Sequence, residues 1–542
     1  MARIIILGNR NSAEVASQTG GELLVVPDIY ENDFGVVNDF VKSRLKEPFD
    51  ILIIDADNIQ RADVALAFGM YLRLSFTEVG VNALAPIIIA SDFTIKKFLH
   101  VNTYSQLLLS GNVYFQNRRE IITEAVVPLP ASRYEEDFLG FVSIQPGPEI
   151  GRHSLANQWG ASVIDRLLNN GTPSGNEVLG QAAKSLYFKY VFAQTVNVSD
   201  VLSGKPQTRY NMMNRMAINA KGKRILLIDD EADRGWEYVL KQLVNTNEGD
   251  FDVIGHRVKS YDAFSKEERQ MIENGNYDLI FLDLRMNGVE EENVYKPEEF
   301  SGMKILKRIK KDSPGTQVIM FTASNKAWNL KALLDEGADG YYIKESPEYK
   351  FSFGFSIANY DALITNIQEC LRRSYLREIN RVLKSVRSAY TTQKNLQSAI
   401  LHQLDASYVL IEAKHFEFAY VTLCQVIELV NDEYLEQDAD DAWYIKETKE
   451  YAKSWKTNFR KECVEDESDT ARTAKYPEWQ KAASLYYQLW SQADKSFGYQ
   501  LKFLIDERNK FMHNDSNSRS DIHTEKGYMS LLSVVETMCS FI

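Results

Sequence analysis

Three carboxylates, a hydroxyl and an ammonium follow four short apolar runs between residues 223 and 347. Residues 224–228 (RILLI) run into Asp229 and Asp230, and 277–282 (YDLIFL) into Asp283. Residues 317–321 (QVIMF) run into Thr322, and 340–343 (GYYI) into Lys344. A carboxylate attacks a phosphoryl group only if the charge on both partners is offset, which magnesium does through carboxylates and bound waters. On that chemistry Asp283 is the nucleophile and becomes an aspartyl phosphate. Asp230 and Asp283 hold the ion, Asp229 assists through water, and the carbonyl of Arg285 is a further ligand. Lys344 pairs with one phosphoryl oxygen and Thr322 hydrogen-bonds another.

The elements that must position these groups follow from the runs themselves. Short, largely apolar runs alternating with helix-like segments predict parallel strands covered on both faces. In such a sheet the ligand sits outside the carboxyl ends of the strands, where every one of these polar residues falls.

In this arrangement the stretch resembles the receiver domain of two-component response regulators. The acidic pair, the aspartate, the threonine and the lysine stand in the family's order, and GADGYYIK (337–344) is similar to the family's own segment. The resemblance covers about a quarter of the chain. It implies a flavodoxin-like doubly wound fold, Mg2+ as cofactor, and a histidine kinase or phosphotransfer protein as partner in a phosphorelay. It also implies that Tyr341 swings inward when Thr322 moves toward the phosphate. Two departures stand out: Asn287 and Glu345 replace prolines that the family usually has, and an acidic insertion (287–300, NGVEEENVYKPEEF) lies beside the pocket.

A chain of 542 residues is expected to hold roughly three or four domains. The boundaries read as an α/β domain at 1–118, a helical connector at 119–220, the receiver at 221–350 and an all-α output at 351–542. With 44% hydrophobic and 25% charged residues the composition is that of a globular protein, and a net charge of -13 argues against a non-specific grip on nucleic acid. No apolar run is long enough to span a bilayer and no signal peptide is expected, since 2–7 (ARIIIL) is too short; a cytoplasmic protein is the expectation. Cys370, Cys424, Cys463 and Cys539 form no CxxC pair and read as reduced thiols.

Residues 3–7, 23–26, 49–55, 86–90 and 112–115 repeat the α/β rhythm as five strands. Asp55 stands where a phospho-acceptor would and Ser91 where the threonine would, but Gly8 and Asn9 replace the acidic pair and Gln116 the lysine. The expectation is a pseudo-receiver used for contact or sensing, with an unrelated doubly wound domain as the alternative. In the connector, His153 precedes SLANQWG, a segment faintly similar to the phosphohistidine helix of phosphotransfer domains. A packing or capping histidine is the plainer reading there.

From about residue 349 the apolar spacing predicts helices at 376–386, 396–412, 416–434 and 483–512, with a polar break at 465–476. Within 504–514 (LIDERNKFMHN), Arg508 and Asn509 precede His513, and the following polar run predicts a helix end there. Histidine as general acid or base and arginine on the phosphate suit metal-independent RNA cleavage. These residues resemble the HEPN superfamily, whose ribonuclease members carry such an arginine, polar residue and histidine at a site shared between two protomers. The resemblance implies a homodimer, RNA as substrate and Arg508, Asn509 and His513 as catalytic residues. A non-catalytic helical domain that binds nucleotide or a partner protein is the alternative. His100, His256, His402, His415 and His523 have no partner at ligand or triad spacing. The whole predicts a response regulator controlling a HEPN-like ribonuclease in stress or anti-phage defence, or a signalling adaptor without catalysis.

Overall fold

The fold is that of a computed structural model. The structure describes residues 2–30, 34–61, 64–147, 151–169, 174–204, 217–255, 266, 268–272, 276–286, 294, 296–323, 327–347, 352–389, 391–468, 476–513 and 524–542. The chain groups into two units, 1–305 with 318–368, and 306–317 with 369–542. Asn287, most of the acidic insertion, His256, His523 and the polar run after His513 lie outside the described residues.

The first unit holds two five-stranded sheets. The first is built from Ile4–Gly8, Glu22–Val25, Ile51–Asp55, Ile87–Ser91 and Val113–Asn117, paired in parallel in the order second, first, third, fourth, fifth. Its core also takes in Leu129, Tyr134 and Phe138 and the later helical residues Leu186, Ala193 and Val198. Lys189 reaches across to Glu78 at 2.7 Å. Burial costs that lysine more than its partner returns, so its ammonium titrates below its ordinary value.

The second sheet repeats the order with Phe251–Ile254, Ile225–Ile228, Leu279–Asp283, Gln317–Thr322 and Gly340–Ile343. Its three central strands are buried along their whole length, which is why they read as unbroken apolar runs. The edge strand Phe251–Ile254, unforeseen from the sequence, is half-buried and carries Asp252. Trp236, Phe321 and Tyr342 pack as a ring cluster over this sheet, with centroids 5.1 to 5.8 Å apart. Helix Phe353–Arg372 lies along the last strand, where the Asn359 and Asn366 amides donate to the carbonyls of Ile343 and Tyr341.

The second unit is a helical region. Tyr375–Ser388, Lys394–Glu412, Phe416–Tyr434, Glu478–Ser484, Lys495–Met512 and Glu525–Cys539 share one apolar core. Two features differ from the expected helices. The predicted 483–512 helix is broken, and Asp494 restarts it by accepting from the Ser496 N–H at 2.9 Å. Two antiparallel hairpins also stand where no strand was foreseen, Leu435–Gln437 with Trp443–Ile445 and Trp455–Thr457 with Cys463–Glu465. Their turns are alike: Asp438 and Asn458 each accept two backbone N–H groups, and Asp441 and Lys461 take left-handed φ of 60° and 61°. All four cysteines are buried and unbridged. Among the described residues no helix is long and apolar enough to cross a membrane.

Candidate phosphoryl-acceptor site

The site forms at the carboxyl ends of the second sheet, and each group is placed by its strand. Asp229 follows Ile225–Ile228, and its N–H donates to the Ile254 carbonyl of the neighbouring strand at 3.2 Å. Gly255 permits that approach: its φ is 105°, and a Cβ there would lie 2.5 Å from the Asp229 carbonyl oxygen. Asp283 closes its own strand, with Oδ1 accepting from the Leu284 N–H at 2.9 Å. Gly302 comes so near that a Cβ on it would lie 2.1 Å from the Asp283 carbonyl oxygen.

Asp229, Asp230 and Asp283 offer carboxylate oxygens that all lie within 4.8 Å of one another. Lys344 Nζ lies 2.8 Å from Asp229 Oδ2 and 3.0 Å from Asp283 Oδ1. Burial alone would lower the lysine pKa, but the two carboxylates more than offset it and raise the value, so the ammonium stays protonated. Three carboxylates against one ammonium leave a local deficit of two positive charges. An all-oxygen donor set with that deficit fits a magnesium ion. Thr322 is buried at the end of its strand, and its carbonyl accepts from the Lys344 N–H at 2.7 Å. Tyr341 is half-buried, while its neighbour Tyr342 is the ring sealed in the core. The Arg285 guanidinium carbon sits 4.9 Å from the centroid of the Phe300 ring.

Sequence reasoning missed a layer over this pocket. Helix Arg152–Leu168 brings Asn157 to Lys344 across 187 residues of chain, with Nζ donating to the Asn157 Oδ1 at 2.5 Å. The same oxygen accepts from Trp236 Nε1 at 3.0 Å, and the Asn157 Nδ2 donates to Glu231 at 3.0 Å. Ser154 donates to the other Glu231 oxygen. The side chain of His153 lies outside the described residues.

The corresponding edge of the first sheet is built differently. Asp55 is buried, and Arg118 Nε donates to both of its oxygens at 3.0 and 3.1 Å. Asn58 donates to it as well, at 3.0 Å. Gln116 stands at the lysine's place on the fifth strand, and Arg118, beyond the end of that strand, supplies a positive charge to Asp55. Ser91 is turned to Asp57, donating to it at 2.6 Å.

In the helical region Arg508 and Asn509 lie in the last turns of Lys495–Met512, and His513 caps that helix as an exposed residue. The His513 N–H donates to the Asn509 carbonyl at 3.0 Å. Among the described residues no side-chain hydrogen bond joins Arg508 to His513, and five positions on a helix set side chains roughly 140° apart. Arg508 instead forms an ion pair with Glu428. Burial pushes the nearby Cys424 thiol up to about 12, although Arg508 opposes the shift.

Residues 225–351 match the response regulator receiver domain family. The chain is 36% identical over 69 residues to the nitrate/nitrite response regulator protein NarP of Escherichia coli, covering 13% of this chain and 27% of that protein. It is 28% identical over 125 residues to a nitrate/nitrite response regulator protein homolog of Haemophilus influenzae, covering 23% of this chain and 50% of that one. The chain thus spans half or less of the length of these curated relatives. A solved structure of a two-component system response regulator/GGDEF domain protein aligns at 12% identity over 68% of this chain and 99% of that one. Its TM-score is 0.18, too low for a shared fold to be read from it. The matched residues 225–351, which carry Asp283, are a response regulator receiver domain.

Proposed function

We propose that the chain is a response regulator in which Asp283 takes a phosphoryl group from a histidine kinase or phosphotransfer protein. What carries this reading is the convergence of Asp229, Asp230 and Asp283 beside Lys344 at one sheet edge. An Asp283 oxygen attacks phosphorus and an O–P bond forms. The P–N bond to the donor imidazole breaks, and its electron pair goes to the ring nitrogen, which takes a proton from water. Asp230, Asp283, the Arg285 carbonyl and, through water, Asp229 would hold a magnesium ion, which would offset charge on both partners. Lys344 and Thr322 bind phosphoryl oxygens, and Tyr341 turns inward as Thr322 moves. Acetyl phosphate with magnesium should add one phosphoryl group to the chain, and Asp283→Asn should abolish the addition.

The first sheet is a pseudo-receiver in this reading, supported by the repeated strand order and by the occupied Asp55. The helical region is the output, a HEPN-like metal-independent endoribonuclease acting through Arg508, Asn509 and His513 of paired protomers in the cytoplasm. The helix end at His513, which exposes the imidazole, supports this. The Arg508–Glu428 ion pair favours a second reading, an adaptor that binds a partner without catalysis, since it neutralises the guanidinium that would steady a phosphate. RNA incubated with the wild type and with His513→Ala, in the presence of magnesium and acetyl phosphate, separates the two. Cleavage lost in the variant supports the ribonuclease, whereas intact RNA with a phosphorylated Asp283 supports the adaptor.

A further inference from the structure

An ammonium has three donors, and those of Lys344 have three acceptors in place: Asp229, Asp283 and Asn157. A phosphoryl group on Asp283 moves that residue's charge from the carboxylate out to the phosphoryl oxygens, and the ammonium must follow the charge at the expense of a neutral acceptor. Asp229 stays a carboxylate and belongs to the receiver itself, so its bond to the ammonium holds. Asn157 is neutral and comes from a helix outside the matched residues 225–351. Its amide orientation is fixed by its neighbours, because the oxygen meets two donors and the nitrogen meets the Glu231 carboxylate. The helix is fitted closely to the receiver: a Cβ on Gly160 would lie 2.9 Å from the Trp236 ring and 3.5 Å from the Glu345 nitrogen.

We infer that Asn157 is a positioning residue of the phospho-acceptor site, standing where a phosphoryl oxygen will bind Lys344 and leaving when Asp283 is phosphorylated. This rests on Asp283 being the acceptor. Helix Arg152–Leu168 is thereby latched to the unphosphorylated receiver through Asn157 and Ser154, and phosphorylation removes the bond to Lys344. The state of Asp283 is passed directly to the segment that joins the two sheets, without the receiver having to find a second molecule.

The test uses the full chain with acetyl phosphate and fixed magnesium, following phosphorylation by intact mass and backbone amide exchange of residues 152–168. Asn157→Ala should be phosphorylated about tenfold faster than wild type, the factor expected for one hydrogen bond to a charged group. Ser154→Ala, which disturbs only the contact with Glu231, should show a smaller change in the same direction. In the wild type, phosphorylation should speed exchange in 152–168, and Asp283→Asn should abolish that response. Equal phosphorylation rates with unchanged exchange in the helix would overturn the inference, as would an Asn157→Ala chain that only unfolds more easily while exchange still ignores phosphorylation. If that variant does not fold, the wild-type exchange result decides alone. If neither wild type nor Asn157→Ala accepts a phosphoryl group, the acceptor reading itself fails, and this inference with it.

Discussion

Arg118 and Asp55 form, at the edge of the first sheet, the counterpart of the contact that Lys344 and Asp283 form in the second. The nitrogen-to-oxygen distance is 3.0 Å in each. The difference is in what surrounds them. Asp283 has Asp229 and Asp230 within reach of a shared cation, whereas the structure places Arg118 and Asn58 directly on Asp55. One aspartate is left with chemistry to do, and the other is already satisfied.

Removing Arg118 should therefore cost stability and restore no phosphorylation. Arg118→Ala leaves the Asp55 carboxylate buried without its cation, a loss of about 3 kcal/mol for a broken buried pair. Urea unfolding should show the lowered midpoint, and acetyl phosphate should add no second phosphoryl group to the chain.

Lys344→Ala should be destabilising in a way that magnesium partly repairs. The substitution leaves Asp229 and Asp283 facing each other without the ammonium, again about 3 kcal/mol by the same reasoning. A cation bound by those carboxylates stabilises the folded state by mass action. Unfolding curves with and without magnesium should differ more for the variant than for the wild type.

Magnesium binding should be visible in the fluorescence of Trp236, whose ring centroid is 5.5 Å from Lys344 Nζ. Asp230→Asn removes one of the converging carboxylates and should weaken the binding by about tenfold or more. Chelation should prevent phosphorylation of the wild type. Phosphorylation that persists in excess chelator would contradict the assignment of these three acids.

Glu345 predicts a pH dependence of stability. Burial pushes its carboxyl from an ordinary 4.5 up to about 7, opposed by hydrogen bonds from Ser356 and Asn359. The folded state thus holds a proton that the unfolded chain has already released, so this group's contribution is present below pH 4.5 and is lost as the pH rises to about 7. Glu345→Gln should remove that slope and stabilise the chain at pH 8 by about 3 kcal/mol. Parallel stability curves for the two proteins between pH 5 and 8 (a range of about three units) would contradict it.

What could be read from the sequence was what depends on local pattern. The central strands announce themselves because their interiors are apolar, and the terminal acids, threonine and lysine follow by position. Phe251–Ile254 escaped because a half-buried edge strand containing Asp252 has no such run. The two hairpins have strands of three residues, too short for a periodic signal, although Asp438 and Asn458 are the turn residues that would have marked them. Arg118 was overlooked because the lysine's place was counted at Gln116, while the arginine reaches back from beyond the strand. Asn157 was not legible at all: a lone asparagine on a helix acquires meaning only when the fold sets it against Lys344.

The measurement that bears most directly on Asp283 is site-mapped intact mass of the full chain after acetyl phosphate and magnesium, wild type beside Asp283→Asn. One phosphoryl group on Asp283 in the wild type and none in the variant is the expected result. An unmodified wild type, or a phosphoryl group that persists in Asp283→Asn, would contradict the assignment of Asp283 as the phospho-acceptor.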